Sequence, residues 1–123
     1  MTTYVPDKWI VLKISSKDYP TVYKVFACWY GGYTGNDCWK LNSGVTSVTK
    51  EGKVYSFFGA SGSVYTCHAD SYGTHGYGSG VLQHMIEQAA GAGISIEILA
   101  KETDWGVLDW HGRFAINNIP CGP

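Results

Sequence analysis

The stretch SYGTHGYGSGVLQHMIEQ, residues 71–88, decides the fold prediction, because there the chain changes from strand patterns to a helix pattern. Its first part is rich in glycine, and its second part places apolar residues on one face of a helix. Ser79 is the predicted N-cap, and Gly91 or Gly93 is predicted to end the helix. The predicted apolar face comprises Val81, Leu82, Met85, Ile86 and Ala89.

The residues before this stretch follow strand patterns separated by short turns. WIVLKI, residues 9–14, alternates between two faces. TVYKVFACWY, residues 21–30, is apolar on both faces apart from Lys24, which is typical of a central strand. Their spacing predicts an antiparallel β-meander. Further short strands are predicted in residues 38–50, 54–59 and 63–68.

Strand patterns return after the helix. Ile94, Ile96 and Ile98 alternate with polar residues, and GVLDWHGRFAI, residues 106–116, predicts a C-terminal β-hairpin. The sequence therefore predicts a single α+β domain over residues 1–123, a curved antiparallel β-meander packed on one main α-helix and followed by a β-hairpin.

Composition and charge narrow the classes of function. The chain has 123 residues, a net charge of −1 and Arg113 as its one arginine, with no basic stripe, so we expect it to bind neither DNA nor RNA. No apolar run approaches 18 residues, so no membrane span is predicted. We expect no signal peptide, a cytoplasmic location and free thiols.

Aromatic residues are numerous for a chain of this length, with nine tyrosines and five tryptophans. Tyrosine and tryptophan supply core packing, but they also favour recognition surfaces and subunit interfaces. On this basis we expect a homo-oligomer.

The glycine-rich loop is the main candidate for a binding site. Backbone N–H groups at the start of a helix attract anions, and glycine lets the backbone approach a phosphate closely. Tyrosines in the same loop could stack on a base. The alternative is a strand-to-helix connector in which the glycines only adopt backbone angles that other residues disfavour. The predicted ligand-binding residues are Tyr72, His75, Tyr77, Gly78, Ser79, Gly80 and Arg113.

A catalytic cysteine is the competing site. Cys67 and His68 are neighbours on a predicted strand, so their side chains point to opposite faces and cannot form a nucleophile–base pair. Cys38 with His68, His75 or His111 remains open, and a buried structural cysteine is the alternative. The cysteine and histidine spacings match no metal motif, so no metal and no cofactor are predicted.

Three segments resemble a group of small uncharacterised proteins of tailed bacteriophages: CWKLNSGVTSV, YSFFGASGSVYTCH and YGTHGYGSGVL, within residues 22–82. These carry that group's W-x-L-N-S-G-V and G-x-S-G-S-x-Y-x-C patterns. The resemblance implies a phage accessory protein acting inside a bacterial host, and it assigns no role to any residue.

Three functions remain open. The first is a non-catalytic binding protein that sequesters a small anionic, nucleotide-like ligand such as a host immune signal. The second is a protein–protein inhibitor of a host protein or a structural phage component. The third is a small cysteine hydrolase.

Overall fold

The computed structural model describes residues 2–30, 38–74 and 76–101 together with Thr103 and Trp105. These residues form eight strands, a short 3-10 helix at Ala69–Ser71 and the helix α1 at Tyr77–Gly91. The strands are β1 (Thr3–Tyr4), β2 (Lys8–Ser16), β3 (Tyr19–Trp29), β4 (Cys38–Leu41), β5 (Val45–Glu51), β6 (Val54–Gly59), β7 (Val64–His68) and β8 (Ile94–Ile98). The predicted α+β class is confirmed, and the pairing is mostly antiparallel.

The strands divide into two four-stranded sheets rather than one continuous meander. Sheet A has the order β1-β7-β6-β5, and sheet B has the order β4-β3-β2-β8. The physical reason lies in β2 and β3, which are apolar on both faces and need a cover on each side. The β1–β7 pair is parallel.

Sheet B is the middle of three layers. One face of β2 and β3 contributes Trp9, Val11, Val25 and Ala27 to a buried cluster shared with Phe57 and other residues of sheet A. We call this group the inner cluster, and Trp105 also belongs to it. The opposite face packs against α1 through the helix-side cluster, which comprises Ile10, Leu12, Phe26, Cys28, Leu41 and Leu82.

The helix ends where the sequence predicts and begins earlier. Gly91 is its last residue, but its first is Tyr77, with Gly76 as the N-cap. The prediction of Ser79 as N-cap is wrong, because the chain is already helical at Gly78, which lies directly on β3. The predicted hairpin at 106–116 lies outside the described residues.

Candidate functional site

The first turn of α1 is the centre of the predicted binding site. Gly76 adopts φ 59° and ψ −130°, and no side chain caps the turn. The first turn also contains no acidic residue. A hydrogen bond of 2.9 Å between Thr74 Oγ1 and Ser79 Oγ ties the loop to the helix. Backbone N–H groups at this end therefore have no carboxylate from the turn competing for them.

Gly78 fixes the turn to sheet B. It is buried, and a Cβ atom at this position would lie 2.6 Å from Cys28 Sγ and 2.8 Å from the Tyr30 hydroxyl. Those distances are shorter than real Cβ contacts, so the side-chain-free backbone is what allows the approach. Gly80, two residues on, is exposed and has no atom within 4 Å of a built Cβ.

Tyr72 joins the loop to the core rather than to solvent. Its hydroxyl donates to Leu99 O at 2.6 Å and accepts from Val11 N at 3.1 Å. Its ring meets the Trp9 ring edge-on at a centroid distance of 4.7 Å. Burial raises the pKa of Tyr72 to about 12, and the bond from the Val11 backbone opposes part of that rise. Both ends of this side chain are thus occupied inside the protein.

The predicted site residues therefore fall into separate groups. Tyr77 is 49% exposed and stands at the start of α1 with Ser79 and Gly80. Gly78 lies beneath them against the sheet, and Tyr72 is held in the core. Two further members of the predicted set, His75 and Arg113, lie outside the described residues.

The cysteines occupy contrasting environments. Cys28 and Cys67 are fully buried, whereas Cys38 is exposed at the start of β4. Burial raises the pKa of the Cys67 thiol, which keeps it protonated and unreactive. His68 is exposed beside it, which confirms that the two side chains point to opposite faces. The described residues contain no group of three or more potential metal ligands.

Asn42 is a buried polar residue whose role the sequence reading missed. Its side-chain Oδ1 accepts from Val25 N at 2.9 Å, and its backbone N–H donates to Val25 O at 3.0 Å. One residue thus continues the ladder on β3 after β4 ends, with its side-chain oxygen as the acceptor and its backbone N–H as the donor. The available signal was an asparagine directly after a strand and before Ser-Gly, where a side-chain amide can replace a backbone partner.

Comparison of the chain with protein-family models, curated proteins and solved structures finds no match. Among the described residues, no helix has both the length and the apolar character needed to cross a membrane.

Proposed function

We propose that this chain is a non-catalytic binding protein that holds a small anionic, nucleotide-like ligand at the first turn of α1. The observation that carries the proposal is the pairing of an uncapped helix start with the half-exposed Tyr77. The N–H groups attract a phosphate or carboxylate, and the ring offers a face for a base.

The supporting geometry is a tightly packed residue beneath the turn and open space on its solvent side. Gly78 is locked against Cys28, so the N–H groups of the turn keep their direction when the ligand binds. Gly80 leaves open space on the solvent side. Tyr77 takes the stacking role, because Tyr72 is engaged in the core. His75 and Arg113 remain proposed members of the site.

The proposed setting is the cytoplasm of a bacterial host, where a phage accessory protein would sequester a host nucleotide signal as an anti-defence device. Its support is the resemblance of the W-x-L-N-S-G-V and G-x-S-G-S-x-Y-x-C segments to tailed-phage proteins. The C-terminal hairpin and the homo-oligomer belong to the same proposal.

Ligand-dependent stabilisation tests this function. Thermal unfolding is followed with a panel of cyclic dinucleotides, ADP-ribose derivatives and inorganic phosphate, and a bound member of the panel should raise Tm by mass action. Tyr77→Ala should weaken the binding of that ligand by roughly 5- to 150-fold, the range for losing one stacked base. Tyr19→Ala is the matched control, because Tyr19 is 71% exposed at the start of β3.

Two results would contradict the proposal. One is a Tm that no member of the panel changes at millimolar concentration. The other is an equal loss of ligand affinity in Tyr77→Ala and Tyr19→Ala, which would show that binding does not depend on the start of α1. Stoichiometric capture of a host protein without any small molecule would instead support the protein–protein alternative.

A further inference from the structure

Each sheet has two edge strands, and three of these four edges carry features that discourage pairing with another chain. β1 is only two residues long. β4 has four residues, one of them Lys40. β5 has a register shift between Val45 and Ser47 and an exposed Lys50. Short length, bulges and lysines are the devices by which natural proteins protect sheet edges.

β8 has neither a register shift nor a lysine and is one residue longer than β4; its one charged residue is Glu97. It pairs with β2 over five residues without a register shift, and it carries three isoleucines. Ile98 is 46% exposed. Within the described residues, no strand pairs along the outer side of β8. A regular edge with exposed isoleucine is a surface suited to receiving another strand.

The backbone N–H and C=O groups of β8 alternate between facing β2 and facing the opposite side. Leu99 N donates to Val11 O at 3.0 Å, so Leu99 turns its backbone groups toward β2. Because the direction alternates along an antiparallel ladder, Glu97 and Ser95 also face β2. The N–H and C=O groups of Ile94, Ile96 and Ile98 therefore point outward.

We propose that β8 pairs with β8 of a second copy of this chain, antiparallel and about a twofold axis at Ile96. Ile96 then stands opposite Ile96 of the second copy, and Ile94 opposite Ile98. Each of these pairs exchanges two N–H···O bonds, because these are the outward-facing residues. The two four-stranded sheets B become one continuous sheet.

The side chains of β8 are complementary to themselves in this register. Isoleucine meets isoleucine on the helix side, which covers the exposed part of Ile98. On the other face, Glu97 meets Ser95 of the second copy, so like charges are not directly opposed. Glu97 already has Lys13 as its cross-strand neighbour on β2. A strand of unrelated sequence would not reproduce this match, and a second copy supplies it automatically.

Substitution at position 95 tests both the interface and its register. Ser95 is exposed and faces Ser15 on β2, so charged replacements there leave the monomer fold intact, as circular dichroism would verify. In the proposed dimer, position 95 of each copy lies opposite Glu97 of the other copy. Ser95→Glu therefore creates two pairs of opposed carboxylates, and Ser95→Lys creates two pairs of a cation with a carboxylate. Ser47→Glu on the β5 edge is the matched control.

The readout is the dimer Kd of the full chain from sedimentation equilibrium, over about 1 μM to 1 mM. We expect a reversible dimer that Ser95→Glu weakens and Ser95→Lys tightens, each by roughly 2- to 30-fold for two symmetric cross-strand pairs. Ser47→Glu should leave the Kd unchanged.

A monomer throughout this range would overturn the proposal, including one that captures a foreign peptide on β8. A dimer whose Kd moves in the same direction with both position-95 variants, or with neither, would overturn it too. So would a Ser47→Glu variant that weakens the dimer as much as Ser95→Glu.

Discussion

Gly78 sets how closely α1 lies on sheet B. Ala at this position would add a Cβ 2.6 Å from Cys28 Sγ in a buried contact. Overpacking of this kind costs about 1–3 kcal/mol, against a gain of up to about 1 kcal/mol from the better helix propensity of alanine. We therefore expect Gly78→Ala to lower the free energy of unfolding by about 1–2 kcal/mol, measured by urea denaturation.

Two variants control for the helix propensity of alanine and for the contact between position 78 and Cys28. Gly80→Ala introduces the same residue in the same turn, but into open space, and should be neutral or stabilising. Adding Cys28→Ala to Gly78→Ala removes the sulfur atom and should make the two changes non-additive. Equal losses from the two glycine variants would show that close approach to β3 is not the cause.

Tyr72 makes stability depend on alkaline pH. Burial raises the pKa of this phenol to about 12 from an ordinary value near 10, so the folded state holds the proton more tightly than the unfolded state. Its contribution is complete below pH 10 and is lost as pH rises from 10 through 12. The free energy of unfolding, measured by urea titration at a series of pH values, should fall across that window.

Tyr72→Phe isolates this contribution from the other titrating residues. It leaves Leu99 O and Val11 N without the hydroxyl and should cost about 1–3 kcal/mol at neutral pH. The difference between the two proteins should shrink as pH approaches 12. A difference that stays constant over that range would mean that Tyr72 does not titrate as described.

For single residues, Tyr72 and Tyr77 show what could not be predicted from the sequence. The sequence placed both in one glycine-rich loop and gave them the same stacking role. The structure separates them, because Tyr72 meets Trp9 and Leu99, which are distant in sequence, while Tyr77 opens the helix. No local pattern distinguishes a tyrosine with distant partners from one without them.

At the element scale, periodicity predicted strands and the helix well but not how the strands divide. The two-sided apolar pattern of residues 21–30 correctly indicated a central strand, and the isoleucine alternation correctly indicated β8. The single meander was wrong because short connections are compatible with one sheet or with two. What decides is the burial of both faces of β2 and β3, which is a tertiary requirement.

The end of α1 depends on Gly93. This residue has φ +81°, and its N–H donates to Ala90 O at 3.1 Å, closing the helix before β8 begins. A side chain in this left-handed region costs roughly 1–2 kcal/mol, so Gly93→Ala should lower Tm. Gly91→Ala is the matched control, because Gly91 is the last helical residue and has open space around it. A similar decrease in Tm for both variants would contradict this account.

At the scale of the whole molecule, the described aromatic residues pack in the interior more than they form a surface. Their number suggested a recognition face and subunit interfaces, yet Trp9, Phe57, Tyr65 and Trp105 are buried together in the inner cluster. Two packed sheets need large side chains to fill the space between them. The support for the proposed homo-oligomer therefore comes from the edge of β8, along which no other described strand pairs, rather than from the aromatic content.

Sheet B belongs to both buried clusters, so we expect the described layers to unfold together. Val11 and Leu12 are adjacent in β2 and fully buried, but Val11 faces the inner cluster and Leu12 the helix-side cluster. Leu12→Ala should cost about 2–5 kcal/mol and Val11→Ala less, because it removes fewer buried atoms. In each variant, urea transitions followed by tryptophan fluorescence and by far-UV circular dichroism should shift by the same amount. If Leu12→Ala instead lost helix signal at a lower urea concentration while the fluorescence transition stayed in place, α1 would be an independently melting layer, because the inner cluster would have survived without it.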